Sequence, residues 1–169
     1  MDILAESWET MQISTKGRYA LRIMLYLADR YTLECVSAKH IAEGEKLSVK
    51  YLEHIMSQLS KNGFVVSEKG ASGGYRLAET PENFSVGQIV RAMESDFALV
   101  PCLNQQQNPC PQYDTCTTVE VWKLLQETID ELMDNLTLLD LLRMQQEKLD
   151  RPSLYLTYLL HQNVSGGKN

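Results

Sequence analysis

The sequence lacks the features that membrane, secreted and catalytic proteins need. No stretch approaches the roughly 18 uninterrupted apolar residues of a membrane helix, and no basic patch followed by an apolar run opens the chain. The three histidines (His40, His54 and His161) are scattered, and the chain has neither a phosphate-binding loop nor a Gly-x-Ser-x-Gly elbow. We therefore expect a cytoplasmic protein that contacts no membrane and is not an enzyme.

Charge is unevenly distributed along the 169 residues. The net charge is −6, yet residues 11–79 carry ten Lys and Arg against seven Asp and Glu, a balance of +3 that leaves −9 for the rest. A basic first half suits a partner that carries phosphates, such as nucleic acid, although an ordinary solvated surface would have the same balance.

Apolar spacing predicts three helices and a hairpin in the first half. Ser14, Ser37 and Ser48 each precede an apolar stripe of helical period, as helix-capping serines do. The second helix is predicted to be short, residues 38–43, and to end at a break containing Gly44, and Gly63 ends the third. Two β-prone runs, 64–69 and 75–77, flank a glycine- and serine-rich turn, which indicates a hairpin.

The second half predicts further helices around a loop. Capping-box patterns begin at Ser85, for a helix to about residue 94, and at Thr117, and Thr137 caps an expected last helix to about residue 148. The helix after Thr117 carries apolar residues at spacings of 3, 4, 3 and 4, namely Trp122, Leu125, Ile129, Leu132 and Leu136. Such a heptad seam predicts a dimer helix, with packing on the chain's own domain as the alternative.

These patterns predict a mainly α protein: a winged helix-turn-helix with a β-hairpin wing and a long C-terminal dimerisation helix. The predicted organisation is an N-terminal extension at 1–10, a DNA-binding domain at 11–80, a cysteine-loop sensor with dimerisation helices at 81–150, and a tail at 151–169. The extension is acidic and aperiodic, and is either an upstream start or a loose arm.

The third helix is the candidate recognition helix. In this motif that helix enters the major groove and presents its N-terminal residues to base edges. The face opposite its apolar stripe carries Ser48, Lys50, Glu53, His54 and Ser57. Lysine donates to guanine or phosphate, glutamate accepts from cytosine, and serine suits phosphate oxygens. A solvated helix face is the alternative.

The wing adds a candidate minor-groove contact, because Lys69 is followed by glycines that allow close approach. The full predicted DNA-binding set is Thr15, Lys16, Arg18, Ser48, Lys50, Tyr51, Glu53, Lys69 and Gly73.

Three cysteines lie within fifteen residues, as Cys102-x7-Cys110-x5-Cys116, in a loop rich in proline. Thiolates are the ligands of iron–sulfur clusters, and a loop lets several of them converge. Redox thiol chemistry and coincidence are the alternatives, and the absence of paired C-x2-C knuckles weakens a zinc interpretation. Cys35 stands apart and is expected to be a small core residue.

Taken together, these residues resemble the Rrf-type family of bacterial winged helix-turn-helix transcription regulators, in its IscR-like, NsrR-like and RirA-like branch. The resemblance runs from Met11 to Leu142. The stretches that carry it are Ile13–Arg22, Ser48–Glu53, Gly70–Leu77 and Val86–Ala92.

The resemblance implies a homodimer that binds a palindromic site in double-stranded promoter DNA. It assigns base or phosphate contact to Ser48, Lys50 and Glu53, and minor-groove contact to Lys69. It also assigns the ligation of an iron–sulfur cluster, [2Fe-2S] in preference to [4Fe-4S], to Cys102, Cys110 and Cys116. The expected function is a repressor of iron, iron–sulfur or redox-related genes that is controlled by the cluster.

This sequence departs from the family's pattern at the cysteines. The first two are further apart than in the IscR-like branch, and the positions of the family's fourth ligand hold Val119 and Arg18. A carboxylate, a histidine, water or a small thiol from solution would have to fill the fourth position. The nearby carboxylates are Asp114 and Glu120, and the acidic arm (Glu6 and Glu9) is a longer reach.

The sequence also allows two other functions. One is a cluster-free regulator of sulfur or cysteine metabolism, whose loop takes zinc or forms disulfides and which acts with a partner protein. The other is a protein that mainly docks a partner enzyme through residues 153–162.

Overall fold

A computed structural model describes residues 13–31, 35–70, 73–94, 97–104, 110–150 and 152–165. The predicted extension at 1–10, with Glu6 and Glu9, lies outside these residues. The described part contains seven α-helices and one pair of strands. They are α1 (Thr15–Asp29), α2 (Ala38–Glu45), α3 (Val49–Lys61), β1 (Val65–Glu68), β2 (Gly74–Leu77), α4 (Val86–Met93), α5 (Thr118–Asn135), α6 (Leu138–Leu149) and α7 (Leu154–Ser165).

The three predicted serine caps are confirmed. The hydroxyls of Ser14, Ser37 and Ser48 each accept a hydrogen bond from the backbone N–H three residues on, which satisfies a donor that the first helical turn leaves open. The predicted break at Gly44 is wrong, because α2 continues through it and ends where Lys46 adopts a left-handed conformation with φ of 56°.

The hairpin is confirmed, and with it the winged helix-turn-helix. β1 pairs antiparallel with β2 in the register Val65 to Leu77 and Glu68 to Gly74. An isolated bridge between Val36 and Tyr75 attaches the segment before α2 to the wing. The wing is therefore attached through β2 to the segment before α2, and through β1 it packs against α3.

One continuous core extends through the fold. Ile23 of α1 and Ile55 of α3 belong to the same buried cluster as Ile89 of α4 and Leu138 of α6. Helix α4 packs against α1, as does α6. The predicted division at residue 80 stays a prediction, but side chains from both sides of it share this core.

Two predictions about the second half are corrected. Helix α5 does not begin with a capping box: Thr117 is in the α conformation and its side chain caps nothing. Helix α6, expected to be the last, is followed by α7, whose first turn is held to α1 by a hydrogen bond from the Leu154 N–H to the buried Asp29 carboxylate (3.1 Å). The capping boxes at Ser85 and Thr137 are confirmed.

None of the helices in the described ranges is both long enough and apolar enough to cross a membrane.

Candidate nucleic-acid interface and cysteine loop

Helix α3 exposes the predicted face. Its buried residues are Leu52, Ile55, Met56 and Leu59. The exposed residues include all five of the predicted set, Ser48, Lys50, Glu53, His54 and Ser57. A polar face thus projects from a helix whose other side is fixed in the core, as readout of a DNA groove requires.

Two members of the predicted set also have structural roles on α3. The Ser48 hydroxyl accepts a hydrogen bond from the Tyr51 N–H (3.2 Å), so it stabilises the start of the helix. The half-buried Tyr51 ring packs edge-on against Tyr19 of α1, with centroids 6.0 Å apart. Tyr51 therefore anchors α3 to α1.

The start of α1 presents the next group of predicted residues. Thr15 and Arg18 are exposed, and an Arg18 N–H donates to the Thr15 hydroxyl (3.1 Å), while Lys16 is half-buried. Lys16 and Arg18 place two cations on the first turn of α1, where they would attract a DNA phosphate.

The turn of the wing requires glycine for steric reasons. A Cβ at Gly73 would lie 2.5 Å from the Glu68 carbonyl oxygen, and the Gly73 N–H closes the turn on the Gly70 carbonyl at 3.0 Å. A Cβ at Gly74 would collide with the Val36 carbonyl. The exposed Lys69 is held at this turn.

An ion pair near the turn of the wing was not predicted from the sequence. Arg76 donates to the Glu68 carboxylate at 3.0 Å, and Glu68 also accepts a hydrogen bond from Cys35. Both bonds lower the pKa of Glu68, that of Arg76 most. The expectation that Cys35 is a core residue is therefore wrong: it is half-buried, and its thiol has a polar partner on the wing.

The three loop cysteines lie on the segment between α4 and α5, and all are free thiols. Cys102 is in a 3-10 turn, Pro101–Leu103, and Cys116 ends another, Tyr113–Thr115, directly before α5. The described residues include no group of three or more His, Cys, Asp or Glu side chains that could hold a metal ion. The donor chemistry fits an iron–sulfur cluster, but the described arrangement does not bring the three thiols together.

Cys116 has polar neighbours at the start of α5. Its sulfur lies 3.1 Å from the Thr118 hydroxyl, and hydrogen bonds from that hydroxyl and from the Val119 N–H lower the pKa of the thiol. A lower pKa favours thiolate, the form that binds metals and attacks disulfides.

The candidate fourth ligands are not equally free. Val119 is buried, which agrees with its lack of a donor atom. Glu120 is engaged with Lys123 at 2.8 Å, whereas Asp114 is exposed in the turn before Cys116. Both carboxylates are exposed, and the ion pair with Lys123 holds that of Glu120.

The seam of α5 faces solvent in the single chain. Trp122, Leu125 and Leu132 are 36%, 44% and 61% exposed, and Ile129 and Leu136 are partly exposed. The alternative, a helix that buries this seam against its own domain, does not describe the observed packing. An exposed apolar stripe of this kind indicates an interaction surface.

Sequence reasoning missed the polar contacts that hold the loop and α4 to α5. Gln126 bonds to the loop backbone and to Asp130, and Arg91 of α4 donates to Asp130 at 2.9 Å and to Asp134. The only sequence signal is the four-residue spacing of Gln126, Asp130 and Asp134, which places them on one helix face.

The chain is similar to known transcriptional regulators over most of its length. A family profile, Rrf2, described as "Iron-dependent Transcriptional regulator", matches residues 13–144. Protein rrf2 of Nitratidesulfovibrio vulgaris is 37% identical over 134 residues, which is 79% of this chain and 88% of that protein.

Two solved structures are similar over most of their length. The structure of T. potens IscR has a TM-score of 0.65 at 35% identity, and the match covers 81% of this chain and 90% of that one. The structure of CymR, described as the global cysteine regulator of B. subtilis, has a TM-score of 0.65 at 36% identity, with 78% and 96% covered.

Proposed function

This chain belongs to the Rrf2 family of transcriptional regulators, and from that membership we propose that it is a cytoplasmic, homodimeric repressor whose promoter binding is controlled by an iron–sulfur cluster. Members of the family are transcription regulators and not enzymes. The genes it controls are those of iron, iron–sulfur or redox metabolism.

DNA binding rests on the winged helix-turn-helix and on the residues that it exposes. Lys50 and Glu53 project from the start of α3, where a recognition helix meets the bases. Lys69 at the wing turn supplies a cation for the minor groove, and Arg18 at the start of α1 supplies one for the DNA backbone.

Control by a cluster rests on one observation: three free thiols occupy the segment that joins α4 to α5. Cys102, Cys110 and Cys116 would hold the cluster, [2Fe-2S] in preference to [4Fe-4S], and the family's iron-dependent description supports iron as the metal. When bound, a cluster supplies redox-sensitive bonds that constrain all three thiolates. The loop residues must move closer together than in the described arrangement to provide such a site.

The homodimer rests on the exposed seam of α5. A second copy would cover Leu125 and Leu132 with the same stripe, since a two-fold interface pairs a surface with itself. Two recognition helices related by a two-fold axis read a palindromic site in double-stranded DNA.

Anaerobic purification followed by visible absorbance and iron and sulfide analysis tests the cluster. We expect a coloured protein that contains both elements. Changing Cys102, Cys110 or Cys116 to alanine should remove the colour, while Cys35→Ala should keep it because Cys35 lies at the wing. Colour that persists in all three loop variants would contradict the assignment.

Selection from a randomised duplex library tests DNA binding. Lys50→Ala should weaken binding to all sequences and reduce the slope of affinity against salt by about one unit if Lys50 contacts a phosphate. Lys148→Ala, which removes a cation from the distant end of α6, is the matched control and should leave the slope unchanged. If both variants behave like the parent, α3 does not lie on DNA.

A cluster-free regulator of sulfur or cysteine metabolism, acting with a partner protein, is the second candidate. It is favoured by the similarity to the cysteine regulator CymR and by the separation of the thiols in the described residues. Colourless protein with stoichiometric zinc, or with a disulfide in the loop, would support it over the cluster.

A further inference from the structure

Gln126 joins the cysteine-bearing loop to the core of the protein. Its side-chain oxygen accepts a hydrogen bond from the Leu99 N–H at 2.7 Å, and its side-chain nitrogen donates to the Phe97 carbonyl at 3.1 Å. Leu99 is only three residues from Cys102, and the intervening residues enter the 3-10 turn Pro101–Leu103, which packs on α5. A displacement of Cys102 would therefore act on the backbone that Gln126 holds.

The same amide continues into α4. Its nitrogen also donates to the Asp130 carboxylate at 3.0 Å, and Arg91 of α4 donates to the other oxygen of Asp130 at 2.9 Å. Arg91 reaches Asp134 as well. A Cβ at Gly87 would collide with the Asp134 carboxylate and lie 2.5 Å from Arg91, so glycine makes room for this contact.

The C-terminal end of α4 then contacts the start of α1. The Glu94 carboxylate accepts hydrogen bonds from both the backbone N–H (3.0 Å) and the hydroxyl (2.8 Å) of Ser14. That hydroxyl caps α1 by accepting from the Gly17 N–H at 3.0 Å. A Cβ at Gly17 would collide with Glu94, so glycine again allows the polar groups to meet. Helix α1 packs directly against the recognition helix α3.

We propose that Gln126 is a positioning residue that couples the conformation of the cysteine loop to the DNA-binding module, through Asp130 and Arg91 on one side and Glu94 and Ser14 on the other. This inference rests on the proposed function for its biological role. A residue at position 126 must accept from the loop and donate to both the loop and Asp130, which an amide does and neither a carboxylate nor an apolar side chain does.

The coupling is tested in reduced, metal-free, full-length protein without DNA. In a background carrying Cys35→Ser, Cys110→Ser and Cys116→Ser, iodoacetamide modifies Cys102 alone and perturbs the loop. The readout is the hydrogen-exchange rate of the Gly17 amide, which lies at the far end of the chain of contacts. We expect alkylation to change that rate by about fivefold or more, the lower end of ordinary coupling between sites.

Gln126→Leu should abolish the response of Gly17 while keeping the cooperative thermal unfolding of the parent. Glu127→Gln, on the exposed neighbouring position of α5, should keep the response in full. No response in the parent background, or an undiminished one in Gln126→Leu, would overturn the proposal. A protein that shows the response but selects no duplex DNA would instead refute the proposed function and leave the coupling intact.

Discussion

Replacing Leu125 by aspartate tests whether the α5 seam is a dimer surface. In the single chain the Leu125 side chain is 44% exposed, so a carboxylate at this position reaches water in a monomer. The core cluster around Ile23 and Ile55 does not depend on it. The substitution should therefore act on association and leave the folded monomer intact.

The expected magnitude follows from the exposure of Leu125. Full burial of a leucine side chain contributes about 1.5–3 kcal/mol, so covering the exposed half contributes about 1 kcal/mol per copy and about 2 kcal/mol per symmetric dimer. A buried, unpaired carboxylate adds a cost of roughly 2 kcal/mol or more. The symmetric dimer buries two such carboxylates, so the losses sum to about 6 kcal/mol and weaken the dimerisation constant by about ten-thousandfold or more.

Sedimentation over a range of protein concentrations measures this loss, and circular dichroism measures the thermal unfolding of the same samples. We expect a folded monomer that has lost its affinity for a palindromic duplex. Leu149→Asp is the control, because Leu149 is 51% exposed at the end of α6 and outside the seam. A Leu125→Asp protein that remains dimeric, or one that unfolds as a monomer at a much lower temperature, would show that the seam is not the dimer surface.

Three further predictions concern the DNA surface, the wing and the α6 cap. Glu53→Ala should relax discrimination at one base pair by about 1–3 kcal/mol, as measured by competitive selection from a randomised site library. Gly74→Ala should raise the amide hydrogen-exchange rates of the wing, because its Cβ collides with the Val36 carbonyl. Asp140→Asn should remove a stabilising contribution that hydrogen bonds with Thr137 give at neutral pH, measured by urea unfolding across pH 2–7.

The sign of the pH effect follows from the pKa of Asp140, which its bonds to Thr137 hold below the ordinary value of 3.8. A carboxyl whose pKa is lower in the folded state stabilises the fold fully above its unfolded pKa, and that stabilisation is lost as pH falls through the folded pKa. Asp140→Asn should therefore flatten the acid side of the profile. An unchanged acid side would contradict the capping role, as unchanged base preference would for Glu53 and unchanged exchange rates would for Gly74.

The local features of the fold were predictable from the sequence. Ser14, Ser37 and Ser48 cap helices because the hydroxyl and the amide it accepts from are three residues apart, so the interaction needs no distant partner. The wing followed from β-prone runs around glycines for the same reason. The predicted cap at the start of α5 was wrong, because Thr117 has the capping-box sequence but adopts an α conformation.

The candidate site was predictable in part. The polar face of α3 follows from helical periodicity, and the structure exposes Lys50 and Glu53 as expected. Periodicity does not place Cys35, which lies beside Glu68 on the wing and not in the core. The cysteine spacing predicts thiol ligands, but spacing along a loop does not fix the distance between Cys102 and Cys116.

The sequence by itself determined the serine-capped helix starts, the wing, the polar face of α3 and the apolar seam of α5, all of which depend on residues close together in the chain. Only the tertiary structure decided which distant groups meet: Glu94 with Ser14 across 80 positions, and Leu154 with Asp29 across 125. Such contacts carry no local signal, because a hydrogen bond between distant residues forms only after apolar burial has brought their helices together.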